Sequence, residues 1–173
     1  MAPYTKFNDL MIQGDILVDL KMAWETIHKV RNGVTIVTAF RGDEVNGLTA
    51  AWVSQVSQKP PMVMVSVAPP RYTHDMIRES GCFAVNILGE SGMELAKLFG
   101  FKSGKQVNKF ENVEYERKST GAPIIKDAVA YLDCRVDSEA TAGDHTVFFG
   151  EVVDAGIRSD EEPMVYRIKD FWE

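Results

Sequence analysis

The chain has 173 residues, of which 45% are hydrophobic, with a formal net charge of −6 and a pI near 5.1. This length and apolar content suffice for one sizeable core, so we expect a single domain over residues 1–173. The acidic balance argues against a nucleic-acid partner, because such binding needs a basic face that neutralises phosphates. A small molecule is the expected ligand.

The cysteines and the N-terminal sequence predict a cytoplasmic protein. Cys82 and Cys134 are the only cysteines and form no CxxC pair, a usage typical of a reducing compartment, and we expect both to be core residues. The first residues lack the basic start and apolar run of a signal peptide. No stretch approaches the roughly 20 apolar residues that cross a bilayer, so no membrane partner is expected.

The first half of the chain predicts one helix and three strands. Apolar residues at helical spacing predict a helix from Leu20 to Val30 that stops at Asn32-Gly33. Three β-forming runs follow, "VTIVTAF", "LTAAWVSQVS" and "MVMVSVA", with the polar turn "RGDEVNG" after the first. Because no helix separates them, we expect an antiparallel meander.

Two more helices are predicted by their end signals. "RYTHDMIRESG" predicts a short helix with Thr73 as the N-cap and Gly81 as the stop. After the strand "CFAVNIL", a second helix is indicated by Ser91 and Glu94 at the spacing of a capping box, with Gly100 after the last turn.

The C-terminal third predicts a loop and further strands. The run from Phe101 to Pro123 loses periodicity and gains charge, which predicts a long surface loop. "AVAYLDCRVDSEAT", "HTVFFGEVVDAGI" and "PMVYRIK" alternate as strands, and the alternation places Asp133, Arg135 and Asp137 on a charged face. About seven strands with short helices predict a mainly β, closed antiparallel barrel. "HTVFFGEVV" is apolar on both faces, which suggests a subunit contact.

The residues that usually carry catalytic chemistry do not form recognisable groups. His28, His74 and His145 lie far apart in the sequence without the spacing of a metal site, so no metal is predicted. The chain has no GxSxG elbow, no GxG fingerprint and no complete P-loop. If a nucleotide binds, it does so on another architecture.

The stretch "LTAAWVSQVS" is unusual because small and hydroxyl side chains occupy a predicted strand. Small side chains would let a flat ligand approach the backbone amides, and hydroxyls would add donors without charge. Arg71 and Thr73 at a helix start would suit a phosphate, although Asp75 in the same turn would oppose it. The alternative is a strand packed on a neighbour, with its serines bonded to backbone.

Several separate motifs in the same order resemble one family. "GVTIVTAF", "NGLTAAWVSQVSQKPPMVMVSV", "RYTHDMIRESGCFAVNIL", "SGKQVNKF", "GDHTVFFGEVV" and "PMVYR" are similar to the flavin reductase-like family of FMN-binding split barrels, above all its flavoredoxin-type members. The resemblance runs from about Gly33 to Arg167. It implies a six-stranded Greek-key split barrel, a homodimer, and FMN rather than FAD in a groove near the dimer interface.

The resemblance also implies which residues bind the cofactor. The ribityl-phosphate would be lined by Thr49, Ala50, Ala51 and Trp52, and the isoalloxazine edge by Gln55, Val56 and Ser57. The loop after the next strand would hold the phosphate or ribityl chain through Arg71, Tyr72 and Thr73. The long loop would close over the cofactor with Lys102, Ser103 and Lys109.

Two aromatic positions have two interpretations each. His145 matches a family position near the flavin and the pyridine nucleotide and is the candidate catalytic residue; as a lone histidine on a turn it could instead be a structural hydrogen-bonding residue. Trp52 stands where many flavin reductases carry a small polar residue, and it could be a core or interface residue rather than a cofactor contact.

The implied activity is electron transfer through bound FMN. In the main hypothesis the protein is an NAD(P)H-dependent flavin or ferric reductase that passes electrons to an acceptor. In the alternative it is an electron-transfer module that exchanges electrons with an iron protein such as a rubredoxin or ferredoxin, without nicotinamide. A third hypothesis is a split barrel that has lost its cofactor and serves as a binding scaffold. Because a flavin carries the redox chemistry, none of the redox hypotheses needs a protein nucleophile.

Overall fold

A computed structural model describes residues 11–13 and 16–171, with side chains described for 19–171. The contacts divide the chain into two compact units, Met1–Arg31 and Asn32–Glu173. The single-domain assignment for residues 1–173 stays a prediction. No helix in the described ranges is long and apolar enough to cross a membrane.

The N-terminal unit contains a small hairpin and a helix. Strands β1 (Met11–Gln13) and β2 (Ile16–Val18) pair antiparallel, and helix α1 follows at Leu20–Ile27. The carboxylate of Asp19 accepts a hydrogen bond from the Met22 amide at 3.0 Å and so caps the helix. The predicted helix is confirmed, but it ends at Ile27 rather than Val30.

The second unit is built on a seven-stranded antiparallel sheet. Its strands, in the order in which they pair, are β4 (Glu44–Ala50), β3 (Thr35–Arg41), β7 (Cys82–Ile87), β10 (Ala130–Ala142), β11 (His145–Ile157), β6 (Pro61–Val67) and β5 (Val53–Gln58). Strands β8 (Tyr115–Arg117) and β9 (Pro123–Ile125) form a separate pair. The helices are α2 (Tyr72–Ser80), α3 (Met93–Phe101), which follows a 3₁₀ turn at Glu90–Gly92, and α4 (Ile168–Phe171).

The sheet is open between two strands that are consecutive in the chain. The run "LTAAWVSQVS" is not one strand, because it bends at Ala51 and Trp52: its first part, in β4, pairs with β3 and its second part, β5, pairs with β6. The predicted meander and the closed barrel are therefore wrong at this point. The mainly β antiparallel split-barrel class is confirmed, with seven strands in the sheet where the resemblance implied six.

The buried apolar residues form three clusters, of which two are large. One of these includes Met76 and Ile77 of α2 together with Phe83, Cys134 and Phe148. The other includes Ala96 and Phe99 of α3 together with Phe110, Val113 and Met164. The polar run before Leu48 is mostly strand rather than turn, because Val45 and Gly47 lie opposite Phe40 and Thr38 of β3.

Both predicted helix caps are wrong. Arg71, not Thr73, is the N-cap of α2, and it makes no side-chain cap bond; Thr73 is buried in the first turn. The expected stop at Gly81 is confirmed, since its φ of 65° is the left-handed conformation that glycine adopts without strain. The predicted capping box is absent: Ser91 bonds the Glu161 carboxylate, and Gly92 is the N-cap of α3.

Two further expectations fail because of long-range contacts. Gly100 does not end its helix but lies within α3, which extends to Phe101. The predicted surface loop after α3 contains buried residues, Lys109, Phe110 and Val113, as well as β8 and Pro123, the first residue of β9.

The charged face of β10 is also interrupted. Asp133 is 0% exposed, since its carboxylate accepts hydrogen bonds from the Thr120 amide at 2.9 Å and from the Thr120 hydroxyl. A buried polar group needs such partners, and its alternation with apolar neighbours does not reveal them.

We expect Asp133→Ala to lower the free energy of unfolding by about 1–3 kcal/mol, because the Thr120 donors lose their acceptor in a buried place. Urea denaturation followed by circular dichroism measures this change. The matched control is Asp137→Ala on the same strand, which is exposed and bonds only the neighbouring Ser138 hydroxyl. The control should stay within about 0.5 kcal/mol of the parent, and equal effects of the two substitutions would contradict the assigned role of Asp133.

Candidate functional site

The first turn of α2 is held between the two sides of the open sheet. On one side, the Asn46 side-chain amide of β4 donates to the Thr73 hydroxyl at 3.0 Å. On the other, the Nε2 atom of His74 lies 3.0 Å from the Thr146 hydroxyl of β11. All four side chains are buried. These bonds fix the start of α2, and with it Arg71, relative to both sides of the sheet.

Two cationic residues, Arg71 and Lys109, lie next to this turn. Lys109 is 5% exposed, and its amine donates to the carbonyls of Gly47 at 2.8 Å and Phe99 at 3.0 Å. Burial, and secondly the positive charge of Arg71, lower the pKa of Lys109 to about 8. Within the described part of the chain, neither cation has a carboxylate partner.

This pair fits the phosphate of a flavin mononucleotide. Two cations that repel each other lower their energy when an anion binds between or beside them, and a phosphate monoester carries up to two negative charges. The start of α2 adds backbone amides without intrahelical partners. Asp75 lies in the same turn, but its carboxylate bonds the His74 ring at 3.0 Å.

The predicted ribityl-phosphate segment is only partly available to a ligand. The Thr49 hydroxyl donates to the Ala96 carbonyl of α3 at 2.6 Å, and Ala50 is buried with its carbonyl accepting from Thr35. Ala51 and Trp52, at the bend between β4 and β5, are accessible. The cofactor role of these four residues stays a prediction, and the structure places the side chain of Thr49 in the contact with α3.

Trp52 and the candidate catalytic residue, His145, lie together. Their ring centroids are 4.7 Å apart and the rings are inclined by 55°. The Nδ1 atom of His145 is 2.7 Å from the carboxylate of Asp144, and this hydrogen bond lowers the pKa of Asp144. No hydrogen bond to Nε2 of His145 is found in residues 19–171. An imidazole held at Nδ1 by a carboxylate presents Nε2 to a ligand.

The residues predicted for the isoalloxazine edge lie farther along β5. Trp52 is near the end of β6 that leads to α2, since its carbonyl accepts from the Ser66 amide, whereas Ser57 is opposite Met62 near the other end. Val53 and Ser57 are thus separated by roughly 13 Å of strand. Gln55 and Val56 are exposed, and the Gln55 amide bonds the Ser57 carbonyl. Within one chain these residues are not brought together with Arg71.

The remaining predicted residues lie on or under the loop after α3. The Tyr72 hydroxyl donates to Glu44 at 2.7 Å, and Lys105 lies over its ring at 5.7 Å. Lys102 and Ser103 are exposed. Gly104 lets this loop approach β4 closely, because a Cβ there would come within 2.4 Å of the Asn46 side chain.

Two cavities border the same loop. The larger, of about 540 Å³, lies between the start of β4 and residues 104–108, and the smaller, of about 360 Å³, lies beside α3. Of the predicted site residues, Lys102 and Lys109 line the smaller cavity and none line the larger. The segment Thr49–Ser57, Arg71 and His145 line neither of these two cavities.

Sequence reasoning missed Asn46, His74 and Asp144. Asn46 falls in a polar run that predicted a turn, and His74 was considered only as a metal ligand. Their signal is long-range, since each is identified by a hydrogen-bond partner distant in sequence. Asp144 was the exception, because its place directly before His145 could have suggested the carboxylate–imidazole pair.

We expect Lys109→Met to change the pH dependence of stability in flavin-free protein. Between pH 8 and 10.5 the unfolded chain binds more protons at Lys109 than the folded chain, so Lys109 makes the free energy of unfolding rise with pH in this window. Between pH 8 and pH 10.5, the free energy of unfolding of the parent should rise by on the order of 2–3 kcal/mol relative to that of Lys109→Met. Cys82, Cys134 and Tyr72 have raised pKa values and act in the opposite direction, but equally in both proteins.

Urea denaturation of both proteins across this pH range tests the expectation. If the difference in free energy of unfolding between the two proteins does not change with pH, Lys109 is protonated equally in the folded and unfolded chains.

The chain is similar to known proteins over most of its length. Residues 27–171 match the flavin reductase like domain. The high molecular weight rubredoxin of Moorella thermoacetica is 35% identical over 84% of this chain, which spans 64% of that protein, just under two thirds. The ferric-chelate reductase (NAD(P)H) of Archaeoglobus fulgidus is 36% identical over 82% of this chain and 85% of its own.

A solved structure has the same fold. The flavin reductase PheA2 superposes with a TM-score of 0.75 at 34% identity, covering 86% of this chain and 94% of its own. The resemblance predicted from the separate motifs, and with it the class of flavin-dependent oxidoreductases, is confirmed. The chain belongs to the flavin reductase-like domain family.

Proposed function

We propose that the protein is an FMN-dependent oxidoreductase that takes electrons from NAD(P)H and passes them to a flavin or ferric acceptor. The observation that carries the proposal is the Arg71 and Lys109 pair beside the start of α2, which lacks a carboxylate partner in the described chain and suits a phosphate. The ferric-chelate reductase relative, which this chain covers over 85% of its length, supports the same activity.

Each residue contributes binding or orientation rather than covalent chemistry. Bound FMN supplies the redox step: one NAD(P)H and one proton deliver two electrons, which two ferric ions or one flavin then accept. Arg71 and Lys109 hold the phosphate. His145, fixed by Asp144, offers Nε2 as a hydrogen-bond acceptor to the donor. Trp52 borders the same place. The sequence has no hydrolase or metal motif, which agrees with a protein that binds and orients while the flavin carries the redox chemistry.

A homodimer is part of the proposal. The predicted cofactor segment Thr49–Ser57 lines neither of the two cavities beside the loop after α3, and small-molecule sites usually bury most of their ligand. Strand β5 is an edge of the sheet and exposes Val56 at 46%. A second subunit on this edge would both protect the strand and enclose the cofactor, bringing Gln55, Val56 and Ser57 into an interface.

A cytoplasmic location is also part of the proposal. Both cysteines are free thiols, which suits a reducing compartment.

A second candidate is the electron-transfer module without nicotinamide. The observation that favours it is the similarity to a protein named high molecular weight rubredoxin, of which this chain spans 64%. An iron protein would then serve as the redox partner. The two candidates share the cofactor site and differ in what reaches His145 and Trp52.

Anaerobic mixing separates the candidates. If the purified protein shows a flavin spectrum, NADH or NADPH should bleach it promptly under the first proposal. Bleaching by light with a sacrificial donor but not by either nicotinamide would support the electron-transfer module. A colourless protein that does not bind added FMN would contradict both and favour the scaffold.

We expect Arg71→Ala to weaken FMN binding roughly tenfold to a hundredfold, the effect of losing one charge-assisted contact to phosphate. Titration of flavin-free protein with FMN, followed by flavin fluorescence, measures the dissociation constant. The matched control is Arg78→Ala. Arg78 is a cation of the same helix, and its guanidinium already pairs with the Glu139 carboxylate at 2.8 Å. The control should change affinity less than twofold, and unchanged affinity in Arg71→Ala would remove Arg71 from the site.

A further inference from the structure

Trp52 is a large aromatic side chain that is fixed in place yet remains accessible. It lies in the bend between β4 and β5, and its carbonyl accepts a hydrogen bond from the Ser66 amide at 3.0 Å. One part of the indole contacts the His145 ring, and 47% of the residue is exposed. An indole that is held by its neighbours and keeps a free surface can receive another ring at little conformational cost.

The surroundings of Trp52 are suited to a cation. The Asp144 carboxylate is bonded to His145, and its side chain is 94% exposed. Asp75 bonds His74, which in turn bonds Thr146, the residue after His145. Hydrogen bonds from the two histidines lower the pKa values of Asp75 and Asp144, so both carboxylates are negative near neutral pH. Arg71, at the start of α2, is an opposing charge, and the positive charges of Arg41 and Lys105 act on Asp75.

The proposed function, on which this inference rests, brings a nicotinamide ring to His145. The reduced ring of NAD(P)H is neutral, whereas the ring of NAD(P)⁺ is a pyridinium cation. The rest of the two dinucleotides is identical. The two rings differ in charge and in the second hydrogen at C4, and indole is the aromatic side chain that attracts cations most strongly.

We propose that Trp52 is a specificity-determining residue that binds the pyridinium ring of NAD(P)⁺ by a cation–π contact, and so favours the oxidised over the reduced nucleotide. Trp52 thereby holds the product of the hydride transfer. The consequence is product inhibition by NAD(P)⁺ that depends on the aromatic side chain at this position.

Binding to the resting, FMN-loaded protein tests the proposal without turnover. The probes are NAD⁺ and its 1,4,5,6-tetrahydro derivative, whose ring is neutral and donates no hydride. Isothermal titration calorimetry measures both dissociation constants in the parent, Trp52→Phe and Trp52→Leu, and the same pair with the 2′-phosphate is used if the protein prefers NADPH. The quantity that matters is the ratio of the two constants.

We expect Trp52→Leu to weaken NAD⁺ binding on the order of threefold to thirtyfold and to leave the neutral probe within about twofold. The dissociation constant of NAD⁺ in Trp52→Phe should lie between those of Trp52→Leu and the parent, because phenylalanine attracts cations less strongly than tryptophan. If Leu does not yield folded protein, the Phe variant alone must lower the preference for NAD⁺. Equal weakening of both probes would reduce Trp52 to an ordinary apolar contact, and no change in either would remove it from the nucleotide site.

Two controls separate this inference from the other proposals. Asp144→Asn removes the carboxylate bonded to His145, and 0.5 M salt screens the charge of Asp75. An NAD⁺ preference that survives both changes belongs to the indole, and one that vanishes contradicts the assignment to Trp52. Sedimentation shows whether Trp52→Leu dissociates a dimer; dissociation with an unchanged ratio would overturn the proposal. The proposed reductase function fails separately, if NADH and NADPH leave the flavin of the parent oxidised.

Discussion

The hydrogen bonds that hold the first turn of α2 are the constraint on which the site depends. The sheet is open between β4 and β5, so its two edges are not kept in place by each other. Thr73 bonds Asn46 of β4, and His74 bonds Thr146 of β11, two strands away from the other edge. A helix whose first turn is anchored to both sides acts as the missing connection. Arg71 and His145 owe their relative positions to it.

Around this turn the protein keeps an unfavourable charge arrangement. Lys109 is buried beside Arg71, and its amine is satisfied by two carbonyl groups rather than by a carboxylate. Burial without an ion pair costs stability in the folded protein, which the lowered pKa of Lys109 records. A carboxylate partner would remove this cost and would also repel an anionic ligand. An anion bound beside the two cations would offset this cost, and the proposed function supplies one in the phosphate of FMN.

Local patterns predicted the elements, and distant partners decided the details. The hydrophobic periodicity was enough for α1 and most strands, and end signals indicated α2 and α3; Gly81 identified the end of α2 because that signal is local. Thr73, Ser91 and Asp133 were misinterpreted for one shared reason: each bonds a residue far along the chain, Asn46, Glu161 and Thr120 in turn.

The candidate site shows the same limit. The cluster of motifs identified the family, whereas the roles of Arg71, Lys109 and His145 stay predictions. Spacing could not show that the Thr49 hydroxyl bonds α3, nor that Trp52 contacts His145, since β4 and β11 are separated by almost a hundred residues in the chain. The bend at Ala51 was also hidden, because small residues continue the strand pattern through it.

The two proposed kinds of electron donor would use one cofactor site. The proposed phosphate site is built from buried groups, Lys109 and the first turn of α2, and would be common to both candidates. Trp52 and Asp144 are exposed beside it, and surface positions can change without disturbing the core. A flavin needs only an electron donor held close and oriented. Under the proposed function, the two kinds of donor would share the fold and would be distinguished by the exposed side chains of Trp52 and Asp144.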